Sequence, residues 1–246
     1  MSRFFLPKTN IEGTRGFIAG QELEHLRRVL RLGPGDRITV FDDTGCEYQA
    51  VIRSFSVGEA EFDIVASSQV ERESPLQMTL ALGLTKGEKM DFVIEKATEL
   101  GVQTIAPFVS SYTVPKLDQG KIHRRTERWQ KIALSAAKQS GRTQIPAILA
   151  LCQFSELVQQ TFSESVKLLF WEKGAPGALH DLYKAEPQGR SVVLVIGAEG
   201  GFTEAEAKMA LEHGFKLIGV GQRILRAETA ALTAVSLIQF IWGDLG

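Results

Sequence analysis

Ser191-Val192-Val193-Leu194-Val195-Ile196-Gly197-Ala198-Glu199-Gly200-Gly201-Phe202 is an apolar, β-branched run that ends in glycines. The arrangement recurs further on, where Phe215-Lys216-Leu217-Ile218 leads into Gly219-Val220-Gly221-Gln222-Arg223-Ile224-Leu225-Arg226-Ala227-Glu228-Thr229-Ala230 and an apolar helix. Strand, glycine turn and helix in that order is how open α/β sheets offer backbone N–H groups to a ligand. Two such turns in succession imply one pocket built from neighbouring loops. It is not an ordinary nucleotide site. No Gly-Lys-Ser/Thr closes a phosphate loop, and no Gly-x-Gly-x-x-Gly follows a predicted strand.

The same alternation extends back through the second part of the chain. Strands are predicted over 76–85, 102–109, 166–170, 191–196 and 215–219. Helices are predicted over 88–100 and 123–139, from a Thr203-Glu204-Ala205-Glu206 capping box to Gly214, and at the apolar C-terminus. Such alternation implies a mostly parallel sheet covered on both faces. Residues 1–70 read differently, as short strands at 3–6, 16–19, 37–42, 47–55 and 61–67 with a tight turn at Asp42-Asp43-Thr44-Gly45. That pattern favours a small β-barrel. One helix interrupts it at 21–31, with Leu23, Leu26, Val29 and Leu30 on one face, and Gly33-Pro34-Gly35-Asp36 stops it. The charged, non-periodic Val70-Glu71-Arg72-Glu73-Ser74-Pro75 is the candidate linker. The reading is therefore α/β with two domains, 1–70 and 76–246.

A formal net charge of -1 supplies no global field toward nucleic acid or acidic lipid, so any polyanion contact must come from local clusters. Cys46 and Cys152 have no metal-ligand spacing, so neither a zinc site nor a disulfide framework is expected, and both read as small buried hydrophobes. Met1-Ser2-Arg3-Phe4-Phe5-Leu6-Pro7 lacks the apolar core of a signal peptide, and the apolar segment 229–242 is too short for a bilayer. A cytoplasmic protein with no membrane and no metal partner is expected.

Single residues carry two readings each. Glu199 either accepts from ligand hydroxyls or caps its own loop. Arg226 and Glu228 form either an intraloop salt bridge or a pair held for a ligand, since Leu225 and Ala227 imply partial burial. Phe170-Trp171-Glu172-Lys173-Gly174 ends a third strand, and three strand ends at one edge make a cofactor crevice. Basic residues fall into two groups. Arg27, Arg28 and Arg31, with Arg3 and Lys8, suit phosphate contact from a barrel module. Lys116, Lys121, Arg124, Arg125, Arg128 and Lys131 read as a solvated helix face.

Together with Lys86-Gly87-Glu88-Lys89-Met90, Glu95-Lys96-Ala97-Thr98-Glu99-Leu100-Gly101-Val102, Gln139-Ser140-Gly141-Arg142 and Arg27-Arg28-Val29-Leu30-Arg31-Leu32-Gly33-Pro34-Gly35-Asp36, the two C-terminal stretches closely resemble the bacterial 16S rRNA (uracil-N3)-methyltransferase family. That family belongs to the SPOUT superfamily of knotted methyltransferases. The resemblance spans nearly the whole chain. It implies an N-terminal PUA-like β-barrel used for RNA and a SPOUT-type α/β domain closed by a C-terminal trefoil knot. It implies S-adenosylmethionine held at Phe170, Trp171 and Glu172, at Gly197, Glu199, Gly200 and Gly201, and at Gly219, Gly221, Ile224, Leu225, Arg226 and Ala230. RNA would meet Arg3, Arg27, Arg28, Arg31, Lys86, Lys89 and Arg142. A homodimer is implied, with Leu232, Val235, Leu237, Ile238, Phe240 and Ile241 of the last helix supplying much of the interface. Two positions depart from the family: Ala198 stands where many members have Pro, and Ser110-Ser111-Tyr112 where many have Ser-Glu-Arg.

The implied activity is methylation of N3 of a uridine in 16S rRNA, on naked rRNA or on the small ribosomal subunit. Arg226 is the candidate to stabilise the uracil anion, and Glu228, Glu172 or water the candidate to take its proton. The alternatives are a related knotted enzyme acting on another base or on a ribose 2′-hydroxyl, and a non-catalytic RNA-binding factor.

Overall fold

The computed structural model describes residues 2–113, 118–160, 165–176, 179, 181, 184 and 191–246. Lys116 lies outside them. The chain divides into two units, Met1–Glu73 with Ala137–Ile145, and Ser74–Ala136 with Pro146–Gly246.

The first unit is built on a six-stranded sheet in the order β1 (Arg3–Phe5), β4 (Arg37–Phe41), β5 (Cys46–Ser56), β6 (Glu59–Gln69), β3 (Arg15–Ala19), β2 (Ile11–Glu12). Pairing is antiparallel except between β1 and β4. Alternating side chains bury Ile38, Val40, Ala50, Ile52, Ala60 and Phe62 against Phe4 and Ile18. The helix expected over 21–31 is shorter and changes pitch. An α-helical turn, α1 (Gly20–Glu24), runs into a π-turn, His25–Val29, and Arg31 follows at a φ of 54°. The wider turn inserts a residue into the helical period. Leu23 and Leu26 remain buried, but Val29 and Leu30, expected on the same face, are 68% and 37% exposed.

The second unit is a parallel sheet in the order β10 (Cys152–Gln153), β8 (Thr104–Val109), β7 (Gln77–Gly83), β12 (Ser191–Ile196), β11 (Val166–Pro176), β13 (Lys216–Gly219), with β9 (Ala147–Ile148) also on β8. One face packs Phe108, Phe154, Leu157, Val193, Val195, Phe202 and Phe215 into a core. The other is covered by α2 (Lys89–Glu99) and the terminal helix Ala227–Trp242, which lie against each other. Val235 and Ile238, expected at a subunit interface, are completely buried, whereas Phe240 is 64% exposed. Gln239 is buried between Ser74, which donates to its Oε1 at 2.8 Å, and the Leu100 carbonyl, which accepts from its Nε2 at 2.8 Å. The helix Glu204–Glu212 begins with the expected capping box, Thr203 Oγ1 accepting from Glu206 N–H at 3.1 Å and Glu206 Oε2 from Thr203 N–H at 2.9 Å. Both cysteines are free and half-buried. Among the described residues no helix is long and apolar enough to cross a membrane, and no group of three or more His, Cys, Asp or Glu is placed to hold a metal.

Candidate active site

The carboxyl ends of β11, β12 and β13 open onto one cleft of about 800 Å³, part of it open to solvent. A wide bulge shapes its first wall. Phe170 and Ala175 of β11 both pair with Ile218, so residues 171–174 are extruded from the sheet. The sequence reading ended this strand at Phe170; the strand resumes beyond the bulge because Ile218 and Gly219 offer it a continuing edge. The second wall is the turn after β12. Gly201 there holds a φ of 67°, a conformation that side chains with a Cβ rarely adopt. Phe202 then turns back into the core and stacks on Phe108, with 6.2 Å between ring centroids.

Of the residues expected around a cofactor, Phe170, Trp171, Glu172, Gly197, Glu199, Gly200, Gly201, Gly221, Ile224, Leu225 and Ala230 line this cleft. Gly219 and Arg226 belong to the same loops but are not on its wall. Ile196, Ala198, Phe202, Ile218, Val220, Arg223 and Ala227 complete the lining. Several of these were legible in the quoted stretches and were passed over.

Arg226 is the N-cap residue of the terminal helix and is exposed, with no ion pair among the described residues. It does not pair with Glu228. Lys89 takes that place, its Nζ lying 3.1 Å from Glu199 Oε1 and 3.8 Å from Glu228 Oε2. Sequence reasoning assigned Lys89 to RNA; the fold turns it toward both carboxylates of the site. Lys86 contributes its backbone N–H to Glu199 Oε1 at 3.2 Å and keeps its side chain exposed. Burial pushes the Glu199 carboxyl up, but its own N–H, the Lys89 ammonium and the Lys86 N–H outweigh this and hold it below the usual value. Glu228 Oε2 is buried and lacks a hydrogen-bond partner, as does Trp171 Nε1.

Two supports were missed. Gly83, at the end of β7, runs so close to the Gly197–Ala198 backbone that any Cβ there would collide with it. A lone glycine inside Leu80-Ala81-Leu82-Gly83-Leu84 is the sequence signal for such an approach. Ser111 donates its N–H to Glu206 Oε1 at 2.8 Å, and Tyr112 lies against Gly200. Nothing local in the sequence announces that contact.

In the first unit Arg27, Arg28 and Arg31 are exposed, Arg27 over the Phe55 ring at 5.1 Å and Arg28 paired with Glu24 at 2.7 Å. Arg3 and Arg142, expected to face RNA, are not brought to the surface. Arg3 pairs with Glu47 at 3.3 Å, donates to the carbonyls of Ala137 and Arg142, and lies over Phe41. Arg142 is 4% exposed and pairs with Glu73 at 2.7 Å. Their charges are consumed in structural pairs, because a buried guanidinium must find carboxylates and carbonyls of its own.

The cleft suits S-adenosylmethionine. Of the two carboxylates in its lining, Glu199 is paired with Lys89, while Glu172 makes no ion pair among the described residues and is left to meet a positively charged ligand. Phe170, Ile196, Ile218 and Ala230 supply apolar walls for a base, and the unpartnered Trp171 Nε1 supplies a buried donor.

Comparison with known proteins bears on this arrangement. The family model for an RNA methyltransferase domain matches residues 72–239, and that for an RNA methyltransferase PUA domain matches residues 18–64. The fold and cleft thus define an RNA methyltransferase with a PUA domain. Ribosomal RNA small subunit methyltransferase E of Bacillus subtilis is 36% identical over 248 residues, covering 98% of this chain and 96% of its own length. That of Synechocystis is 35% identical, covering 94% and 75%. A crystal structure of the Neisseria gonorrhoeae enzyme bound to S-adenosyl methionine superposes with a TM-score of 0.90 at 35% identity, covering 100% of both chains. The chain belongs to the ribosomal RNA small subunit methyltransferase E family.

Proposed function

We propose that this protein is an S-adenosylmethionine-dependent methyltransferase that modifies N3 of a uridine in 16S rRNA. The observation that carries the reading is the glycine-walled cleft at three strand ends, in a chain that superposes end to end on a relative crystallised with S-adenosyl methionine. The bound donor supplies an electrophilic methyl group on a sulfonium. Glu172, Glu199 and the backbone of Gly197, Gly200, Gly201 and Gly221 would hold it.

The chemical obstacle lies on the RNA side. Uracil N3 carries a proton, and its lone pair is free to attack only once that proton leaves. The resulting anion spreads over N3 and both carbonyl oxygens, and the Arg226 guanidinium, exposed and unpaired among the described residues, is the group to stabilise it. Glu228 is our candidate for the proton acceptor. Its Oε2 accepts no hydrogen bond and so retains free lone pairs, and Lys89, 3.8 Å away, links it to Glu199 on the cleft wall. Holding the base and the methyl group in line contributes several kcal/mol in reactions of this kind, roughly 7–11 at most.

The reading extends to architecture. A C-terminal trefoil knot is supported by the return of the terminal helix from the edge strand β13 to α2, beside β7 and β12. A homodimer completing each site is supported by the apolar Phe240 and by Ile224, 85% exposed on the cleft rim. A cytoplasmic location follows from a ribosomal substrate. The test is to incubate the protein with labelled S-adenosylmethionine and small subunits from cells lacking it, then map the label by reverse transcription. One arrest at an N3-methylated uridine is expected. Label on a ribose, on another base, or nowhere overturns the proposal.

A further inference from the structure

A second concavity of about 870 Å³ lies beside the first, within the same unit, between the start of α2 and the helix Gln119–Ser140. Lys121, Arg124, Arg125 and Arg128 line it from one side. Their spacing of i, i+3, i+4 and i+7 puts all four on one helical face, a stripe about 10 Å long. Its floor is the buried Trp129 and Met90.

The stripe is built rather than merely solvated. Asp91 accepts from Trp129 Nε1 at 3.1 Å with one oxygen and holds Arg128 with the other, at 2.7 Å from both Nε and a terminal nitrogen. This fork fixes the Arg128 guanidinium at the groove edge. Lys121 pairs with Asp118 at 3.2 Å. Arg124 and Arg125 make no ion pair among the described residues, although Glu127 is close in sequence and pairs instead with His123. Four cations therefore face three carboxylates, Glu88, Asp91 and the Asp118 paired with Lys121, and Arg124 and Arg125 carry the positive excess of the groove in a chain whose net charge is -1.

The groove also adjoins the methyl-transfer cleft. On one side of the segment 86–90, the Lys86 N–H and the Lys89 ammonium grip Glu199 of the cleft wall. On the other, Gly87, Glu88 and Met90 line the basic groove. The segment 86–90 thus borders both the basic groove and the cleft. The stripe is longer than the rise between successive nucleotides, about 3.4 Å per strand of duplex, so it engages more than one phosphate.

We propose that this groove binds the sugar–phosphate backbone of the substrate RNA beside the modified nucleotide, an inference that rests on the RNA-methyltransferase reading above. The contact is electrostatic and positional: it sets register and carries no base sequence.

The test uses the full-length R124Q/R125Q variant, with R124K/R125K as the charge-conserving control, a 16S rRNA transcript as probe, and unchanged melting as the check on folding. RNA affinity should fall five- to twentyfold, and the log–log salt slope should become shallower by roughly 1.4 to 1.8, the value for two lost phosphate contacts. KM for RNA should rise with kcat held within twofold, S-adenosylmethionine affinity should not change, and the lysine variant should recover most of the loss. Unaltered RNA affinity and salt slope in R124Q/R125Q overturn the groove. If the native protein binds the transcript through these arginines yet transfers no methyl group either to it or to small subunits from cells lacking the protein, the groove stands and the enzymatic reading falls. If methyl transfer proceeds equally well in both proteins, the reverse holds.

Discussion

Lys89 and Glu199 stand 3.1 Å apart and join two elements that are remote in sequence, the start of α2 and the turn after β12. Because the same ammonium lies 3.8 Å from Glu228, one cation serves two of the three carboxylates at the site, with Glu172 the third.

Lys89→Met removes that cation. With burial opposed only by backbone N–H groups, the Glu199 carboxyl should titrate at higher pH than in the native protein. A carboxylate depressed by folding stabilises above its unfolded value of 4.5 and loses that contribution as pH falls through the folded value. The variant should therefore lose its acid-side stability less steeply. Its S-adenosylmethionine affinity should fall about tenfold, with partial recovery in Lys89→Arg. Calorimetric titration across pH 4 to 7 checks both; an affinity equal to the native one at all pH values sinks the idea.

Arg226→Ala should leave cofactor binding within severalfold, since the side chain is exposed and off the cleft wall. Turnover should drop by about 10²–10³, the usual cost of losing one donor to a developing anion. Single-turnover methylation beside a binding titration separates the two. Equal loss in both would make Arg226 a binding residue.

Gly83→Ala places a methyl group into the backbone at Gly197 and Ala198. That backbone cannot yield as a flexible side chain would, so about 1–3 kcal/mol of stability should be lost. Cofactor affinity should fall with it, because the displaced turn is the cleft wall. Thermal melts with and without S-adenosylmethionine give the answer; a native melting temperature would place the two strands further apart than described.

Arg142→Met and Arg27→Gln should behave oppositely. The first strips the half-buried Glu73 of its main cation and should cost about 3 kcal/mol while leaving RNA affinity per folded molecule unchanged. The second, at an exposed site, should leave stability within about 0.5 kcal/mol and weaken RNA binding in a salt-dependent way. Denaturation curves and filter binding at two salt concentrations distinguish them, and RNA loss confined to Arg142→Met would reverse the assignment.

Much of the sheet was legible because hydrophobic periodicity and glycine punctuation are local. The strand 191–196, the strand Thr104–Val109 expected two residues longer over 102–109, the capping box at Thr203 and the glycine turns all follow from neighbouring residues. The π-turn at His25–Val29 escaped because one inserted residue leaves the apolar spacing almost unaltered while rotating Val29 and Leu30 outward. The bulge after Phe170 escaped because it exists only against the partner edge at Ile218.

Charge was the poorest guide. Composition marks where cations are, but whether a cation meets water or a carboxylate depends on chain segments far away. Arg3 with Glu47, Arg142 with Glu73 and Lys89 with Glu228 are such pairings. The order of residues alone determined the α/β class and the glycine loops of the cleft, but not that Ala137–Ile145, expected in the second domain, belongs with the first unit. Only the tertiary structure decided which charges are spent inside the protein and which remain free, because desolvation and Coulomb attraction act through space rather than along the chain.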